Sequence, residues 1–276
     1  MTERIHRTRS IDGTRIAGSV HGEGPPLVLV HGSLEDGETD WTQLLPLLRD
    51  RFTCFLMNVR GRGLSDAAED KTTRRRVQDV MSFVDSLGEE ADVFGESDGG
   101  ALVLGAAAGT PAIRAVAAHE PPVFQVLEDE VQTQFEQAVG RAQQAAAAGD
   151  ASRAARVFAE FVANESELAA LSSDYFDAAG RHMPSFFDEL EQDAGSDYSP
   201  TDPEELSKIG APTLVLLGLR SAQRDFFTAG ADHITGHVPH ARVRELPDSG
   251  HWGTTFAADA VAAELVDFFS SQPSGV

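Results

Sequence analysis

The chain has 276 residues, 41% of them hydrophobic, which is enough for one large α/β domain or for a core domain that carries an insertion. Its formal net charge of -22 argues against nucleic acid as a partner, because binding phosphates takes lysine and arginine, and against an anionic membrane surface. No apolar run reaches the roughly 20 residues of a membrane span, and the N-terminus lacks the pattern of a signal peptide, so a cytoplasmic protein is expected.

Predicted strands and helices alternate through the first part of the chain. Residues 4–21 are predicted to form two short strands around a turn. Continuous apolar runs at 26–31, 52–57 and 91–94 are typical of central strands in a parallel sheet, which are buried on both faces. The second run contains the single cysteine, Cys54, which is expected to be a buried structural thiol. Apolar residues at helical spacing separate the last two runs, so the pattern predicts a doubly wound, mostly parallel sheet.

The alternation stops after another predicted strand at 113–118. The chain then has an almost entirely helical pattern, in which Asp150 is placed to cap one helix. Strand signals return at 212–217 and 241–246, and a final helix is predicted over 257–269.

The long helical block predicts an insertion into the sheet domain. We expect an α/β core formed by residues 1–122 and 208–276, with a helical cap at residues 123–207. Aromatic residues of the cap are candidates for lining an apolar pocket, although most are expected to form the core of the cap itself: Phe124, Phe135, Phe158, Phe161, Tyr175, Phe176, Phe186 and Phe187.

A candidate nucleophile follows the strand at 91–94. The segment Gly95-Glu96-Ser97-Asp98-Gly99 matches the pattern G-x-S-x-G, which holds a serine on a sharp turn between a strand and a helix. Glycines are needed on either side because larger side chains would collide in so tight a turn. The turn places Ser97 at a helix N-terminus, where free amides stabilise developing negative charge.

The loop after the first buried strand is expected to complete an oxyanion hole. His31-Gly32-Ser33 lies at the end of that strand, and we predict that the amides of Ser33 and Asp98 bind the oxyanion. The amide of Leu34 is the alternative to that of Ser33. Gly32 and Leu34 are also expected to contact the substrate.

A candidate general base lies between the last strand and the last helix. The segment Asp248-Ser249-Gly250-His251-Trp252 can bring His251 over the carboxyl ends of the strands, where ligands bind in such sheets. Histidine accepts and returns a proton near neutral pH, which a serine nucleophile requires. Trp252 is expected to face the substrate, and Asp248 is expected to support the loop.

Several segments together resemble the α/β-hydrolase family over nearly the whole chain: His31-Gly32, Arg60-Gly61-Arg62-Gly63-Leu64-Ser65, Gly95-Glu96-Ser97-Asp98-Gly99, Pro212-Thr213-Leu214 and Gly250-His251. The resemblance implies the α/β-hydrolase fold with a serine, a histidine and an acid at the active site. It does not imply a particular substrate, because this fold hosts many reactions.

The chain departs from the family at the acid. The family has an Asp in a G-x-x-D pattern after the strand at 212–217, whereas this chain reads Gly218-Leu219-Arg220-Ser221. We predict that Glu120 replaces it, because Glu120 follows the strand at 113–118 on the same edge of the sheet. Its segment resembles that of zearalenone-type lactonases, in which the acid is a glutamate. Asp225 is the alternative.

The sequence therefore predicts a serine hydrolase that cleaves a carboxylic ester or lactone of a hydrophobic small molecule through an acyl-enzyme. No cofactor or metal is expected, since His119-Glu120 has no further ligands at a suitable spacing. The alternatives are a non-hydrolytic ligand-binding protein, motivated by the serine at position 221, and a biosynthetic protein that catalyses cyclisation or carbon–carbon cleavage. A homodimer is one of the assemblies that the sequence allows.

Overall fold

The computed structural model describes residues 4–272. Eight strands form a single sheet within this stretch: β1 (Arg4–Arg9), β2 (Arg15–His21), β3 (Pro26–Val30), β4 (Thr53–Met57), β5 (Ala91–Glu96), β6 (Ile113–His119), β7 (Thr213–Gly218) and β8 (Ala241–Leu246). Their order across the sheet is β1-β2-β4-β3-β5-β6-β7-β8. The N-terminal β1 and β2 are antiparallel to their neighbours, and every other pairing is parallel.

The helices follow the strands in the order that the sequence predicts. They are α1 (Leu45–Leu48), α2 (Thr73–Asp85), α3 (Asp98–Gly109), α4 (Asp129–Ala147), α5 (Ala151–Val162), α6 (Glu165–Ala170), α7 (Ser173–Gly180), α8 (Met183–Asp193), α9 (Pro203–Leu206), α10 (Arg224–His237), α11 (Gly253–Phe256) and α12 (Ala258–Ser270). None of the helices in the described stretch combines the length and apolar character needed to cross a membrane.

The sheet is covered by helices on both faces. Val28 and Val30 of β3 belong to the apolar cluster that includes side chains of α2, α3 and α10, whereas Leu27 and Leu29 belong to the cluster that includes side chains of α1 and α12. Because alternate residues of a strand point to opposite faces, continuous apolar runs are needed here. The predicted fold class, a mostly parallel doubly wound sheet, is confirmed.

Strand register determines which loops meet at the carboxyl edge of the sheet. In β5, Gly95 pairs with Val30 and Glu96 pairs with His119, while His119 also pairs with Leu216 of β7. Hence the residues that follow β3, β5, β6 and β7 come together at one edge. This is the place where open α/β sheets bind ligands.

The helices α4 to α9 lie between β6 and β7 and are called the helical segment below. Helices α4 to α8 share an apolar cluster of their own, into which Leu34 and Trp252 of the sheet domain also pack, whereas Leu206 of α9 belongs to a cluster of the sheet. Asp150 caps α5 as predicted, since its side chain accepts a hydrogen bond of 2.9 Å from the amide of Arg153. The exact division between core and cap at residues 122/123 and 207/208 stays a prediction.

A fully buried ion pair joins the loop after β4 to α2. The Nε and Nη2 atoms of Arg60 each lie 2.6 Å from an oxygen of Asp79, and both side chains are inaccessible to solvent. The pair involves the first arginine of the Arg60-Gly61-Arg62-Gly63 segment. Its role is therefore to fix this loop against the helix that covers the sheet.

Replacing Asp79 with alanine is expected to lower the free energy of unfolding by about 3 kcal/mol, because it leaves two nitrogens of a buried guanidinium unpaired and only the partly exposed Asp12, at 2.9 Å, as its counter-charge. Urea denaturation followed by circular dichroism measures the change. Asp66→Ala is the matched control, since its pair with Arg15 is about half exposed and should contribute less than about 1 kcal/mol. Equal losses in the two variants would contradict this role for Arg60.

Candidate active site

The turn between β5 and α3 holds Ser97 in a strained backbone conformation. Its φ is 53° and its ψ is -123°, a region that residues with a side chain rarely adopt. The flanking positions have no room for a side chain. A Cβ at Gly95 would collide with the backbone of Gly99, and a Cβ at Gly99 would collide with the carbonyl groups of Val30 and His31. The turn lifts the Ser97 hydroxyl above the sheet edge at the N-terminus of α3.

The structure brings Ser97, His251 and Glu120 into one hydrogen-bonded row. The Nε2 atom of His251 lies 3.1 Å from Ser97 Oγ, and Nδ1 lies 2.8 Å from Glu120 Oε2. These residues are 154 and 131 positions apart from His251 in the chain. A histidine bonded in this way can accept the serine proton while the carboxylate balances the resulting charge.

Glu120 is the first residue after β6, and its backbone φ of 44° turns the side chain toward His251. Its second oxygen, Oε1, accepts hydrogen bonds of 2.9 Å from the amide of Gly218 and of 2.5 Å from the hydroxyl of Ser221. Ser221, at the position where the family has its Asp, thus supports the glutamate. The alternative acid, Asp225, is exposed at the start of α10 and forms no hydrogen bond to His251 among the described residues.

The two buried partners shift each other's pKa in opposite directions. Burial would raise the pKa of Glu120, but the hydrogen bond and charge of His251 hold it below its usual value. Burial would lower the pKa of His251, but the hydrogen bond and charge of Glu120 raise it above 6.5. The arrangement therefore favours a carboxylate beside an imidazole that is ready to become charged.

Several contacts hold the His251 loop in place. The ring of Phe227 stacks on the imidazole with 5.0 Å between centroids and an angle of 11°. The amide of Trp252 donates a 3.0 Å hydrogen bond to Glu167 of α6, which connects the loop to the helical segment. Asp248, expected to support the loop, forms an exposed ion pair with Arg220 at 2.6 Å.

The loop after β3 has a fixed shape next to Ser97. His31 accepts a hydrogen bond from the amide of Val59 at Nε2, so its Nδ1 donates to the carbonyl of Gly32 at 2.8 Å. Burial lowers the pKa of His31 to about 4, which keeps the ring neutral. The amide of Gly32 donates to Asp40 at 3.0 Å. These bonds orient the loop that leads into Ser33.

The predicted oxyanion donors lie on either side of the serine turn. Ser33 and Asp98 both line the cavity described below, and neither of their amides donates a hydrogen bond to a residue within 4–272. Free amides at this position can bind a negatively charged oxygen. Their use as an oxyanion hole stays a prediction.

Arg76 of α2 forms an ion-pair network that the sequence analysis missed. It pairs with Asp98, with Asp193 at 3.1 Å and, more distantly, with Glu189 at 3.7 Å. Glu189 also accepts a 2.8 Å hydrogen bond from Arg62. The network joins α8 to the residue after Ser97. Residues 74–76 are three adjacent arginines, and nothing in the sequence indicates that the side chain of Arg76 is 96% buried.

A cavity of about 700 Å³ opens from the serine and histidine into the helical segment. All of the predicted contact residues line it: Gly32, Ser33, Leu34, Asp98 and Trp252. Five of the eight candidate aromatic residues also do so: Phe124, Phe135, Phe158, Phe161 and Phe186. All of the eight except Phe124 also pack in the apolar cluster of the helical segment. Residues 4–272 contain no group of three or more potential ligands arranged for a metal ion.

Glu35 is a second residue that the sequence analysis missed. It lines the cavity, and its Oε1 accepts hydrogen bonds from the hydroxyl of Tyr175 and, at 3.3 Å, from Trp252 Nε1. Burial, which outweighs these bonds, raises the pKa of Glu35 to about 7. Only its position in the loop after Ser33 hinted at a place near the nucleophile.

Comparison with known proteins assigns the chain to a family. The model of the "Alpha/beta hydrolase family" matches residues 27–264. The solved structure of an alpha/beta hydrolase from Sphaerobacter thermophilus DSM 20745 is 30% identical, with a TM-score of 0.73, and the match covers 96% of this chain and 100% of that one.

Two curated relatives are similar over shorter stretches. A pyrrolizixenacetamide deacetylase from Xenorhabdus hominickii is 31% identical over 37% of this chain and 39% of its own length. A pimeloyl-[acyl-carrier protein] methyl ester esterase from Stenotrophomonas maltophilia (strain R551-3) is 37% identical over 36% of each chain. The matched region thus spans less than half of either relative, and it supports a hydrolase without identifying a substrate.

Proposed function

The chain belongs to the alpha/beta hydrolase family, and on this basis we propose that it is a serine hydrolase that cleaves a carboxylic ester or lactone of a hydrophobic small molecule. One observation carries the proposal: His251 lies 3.1 Å from Ser97 Oγ and 2.8 Å from Glu120 Oε2. A serine hydroxyl, a histidine and a carboxylate in this order form the arrangement that activates serine for acyl transfer.

The reaction begins when His251 takes the proton of Ser97, whose Oγ attacks the substrate carbonyl. The negative oxygen of the tetrahedral intermediate accepts hydrogen bonds from the amides of Ser33 and Asp98. His251 then gives its proton to the leaving alcohol, which leaves the acyl group on Ser97. In the deacylation step, His251 activates a water molecule that attacks the acyl group and releases the carboxylic acid. Glu120 balances the charge of the imidazolium during acylation and deacylation.

The cavity supports a hydrophobic and uncharged substrate. Phenylalanine side chains of α4, α5 and α8 form an apolar part of its wall, beside acidic and hydroxyl side chains at 189–202. The helical segment acts in this proposal as the cap that sets specificity. Arg76 lines the cavity, but Asp98 and Asp193 already neutralise it, so it offers little to an anionic substrate. The printed names of the two curated relatives, a deacetylase and a methyl ester esterase, support acyl transfer to water.

The alternative of a non-hydrolytic binding protein was motivated by the serine at position 221. Glu120, which follows another strand, provides a carboxylate in contact with His251. The serine at position 221 is therefore no argument against catalysis. Cyclisation and carbon–carbon cleavage use similar residues, and no observation in the structure favours them over hydrolysis.

Labelling with a fluorophosphonate tests the proposal directly. We expect one label per chain, attached to Ser97, because the reagent traps a serine that a neighbouring histidine activates. Intact mass spectrometry and peptide mapping measure the product. Ser97→Ala should abolish labelling, whereas Ser33→Ala, which removes another hydroxyl from the same cavity, should retain it. An unlabelled parent protein, or a label at another residue, would refute the proposed nucleophile.

A further inference from the structure

The cavity wall beside the nucleophile contains a carboxyl group that the proposed mechanism does not use. A Cβ at Gly32 would lie 3.5 Å from Glu35 Oε2 and 3.6 Å from the Cβ of Ser97. The carboxyl of Glu35 and the nucleophile therefore flank the same glycine. A substrate whose carbonyl carbon is within reach of Ser97 has its nearest substituents within reach of Glu35.

The position of this carboxyl is fixed from two sides. Tyr175 comes from α7 of the helical segment, and Trp252 follows the proposed base; both donate hydrogen bonds to Oε1. Trp252 Nε1 also donates to the hydroxyl of Tyr175 at 3.0 Å, so the three side chains brace one another. The donors hold Oε1 and leave Oε2 on the side of Gly32 and Ser97.

The second oxygen has no protein partner among residues 4–272. No hydrogen bond to Oε2 and no ion pair of Glu35 occurs in that stretch. Glu35 is only half-buried and faces the cavity, so water can bond to Oε2 in the free protein. A ligand that displaces this water and brings a hydrogen-bond donor restores the bond, whereas an apolar ligand leaves the oxygen unpaired at a cost in free energy.

We propose that Glu35 determines specificity by accepting, at Oε2, a hydrogen bond from a hydroxyl group that the substrate carries close to its reacting carbonyl. The inference rests on the proposed function and names the substrate class within it, a hydroxy ester or hydroxy lactone. A hydroxyl fits better than the charged alternatives. An anionic substituent would meet the acidic side chains that line the cavity, and Glu35, whose pKa is raised to about 7, is only partly ionised at neutral pH and is therefore a weak partner for an ammonium group.

The kinetic test compares 1-naphthyl butyrate with 1-naphthyl 2-hydroxybutyrate and 1-naphthyl 3-hydroxybutyrate. At about pH 8.5, above the pKa of about 7 of Glu35, its carboxyl is ionised. Under these conditions we expect the parent protein to prefer one of the hydroxy esters by about tenfold or more in kcat/KM, since a hydrogen bond to a charged acceptor has that value. In Glu35→Leu the preference should disappear. In Glu35→Gln the amide oxygen stays with Tyr175 and Trp252, so the NH2 group takes the Oε2 position, where it can only donate to the substrate hydroxyl, and the preference should fall to roughly threefold. Glu38→Gln, an exposed acid in the same loop, should keep the full preference.

A preference that is absent in the parent or unchanged in Glu35→Leu would overturn the inference. A general loss of packing would lower kcat/KM for all three esters alike. The ratio of kcat/KM between a hydroxy ester and 1-naphthyl butyrate would then stay unchanged, so this ratio separates recognition from structural damage. Circular dichroism checks folding, and Glu35→Gln carries the comparison where Glu35→Leu does not fold.

A binding measurement separates this inference from the proposed function. In the Ser97→Ala background, calorimetry should show the preferred hydroxy ester binding about tenfold more tightly than 1-naphthyl butyrate, and the added Glu35→Leu change should remove the difference. Failure of the proposed function appears as no turnover and no label on Ser97 in the parent, with this binding preference intact. Failure of the inference appears as turnover and labelling without any preference.

Discussion

Replacing Ser97 with alanine is expected to lower kcat for ester hydrolysis by about four to six orders of magnitude, while the protein stays folded. The change removes the oxygen that lies 3.1 Å from His251 Nε2 and takes away little buried volume. Initial rates with p-nitrophenyl butyrate measure the loss, and circular dichroism checks the fold. A variant that keeps the rate of the parent would show that another residue attacks the substrate.

The same expectation extends to His251, because the serine is a weak nucleophile without its base. His251→Ala should lose about as much activity as Ser97→Ala, and the double variant should be no slower than either, since residues that act as a unit are not additive. His240→Ala, an exposed histidine, serves as the control. Losses that multiply in the double variant would mean that the two residues act independently.

Replacing Glu120 with glutamine is expected to lower kcat by about three to four orders of magnitude. Glutamine keeps the shape of the side chain but cannot balance the charge of an imidazolium 2.8 Å away. Asp225→Asn, the change at the alternative acid, should leave kcat within about threefold, because Asp225 is exposed and forms no bond to His251 in the described chain. The opposite outcome for the two variants would transfer the role to Asp225.

The pH dependence of kcat/KM gives an independent check on Glu120. The base must be neutral to accept a proton, so activity rises as the pH increases through the pKa of His251. Glu120 holds that pKa above 6.5 against the effect of burial. Without the carboxylate, burial dominates and lowers the pKa, so the acid limb of the profile should move to lower pH in Glu120→Gln. An acid limb that stays in place would indicate that Glu120 only supports the structure.

Local patterns were enough to predict the sheet and two of the three residues in the hydrogen-bonded row. Strands buried on both faces have apolar runs that stand out in the sequence, and the runs at 26–31, 91–94 and 212–217 correspond to β3, β5 and β7. Ser97 and His251 lie in short motifs beside such strands. Glu120 could be predicted from the strand topology, because a residue at the end of β6 must lie near residues at the ends of β5 and β7.

The sequence did not reveal contacts between distant residues where neither a motif nor a strand end marks the positions. Glu35 bonds to Tyr175 across 140 positions, Arg76 pairs with Asp193 across 117, and Ser221 bonds to Glu120 across 101. Each of these residues is ordinary in its local context. Their positions depend on how the helical segment and the loops pack, and no periodicity or short motif encodes that packing.

The strained backbone at Ser97 has a consequence for how this protein changes under selection. A glycine there would adopt the same torsion angles without the cost of about 1 to 3 kcal/mol that a side chain incurs. Folding alone therefore favours the loss of this hydroxyl, and only the need for turnover retains it. Lineages that lose their substrate should drift toward glycine at position 97 and become more resistant to heat as they become inert.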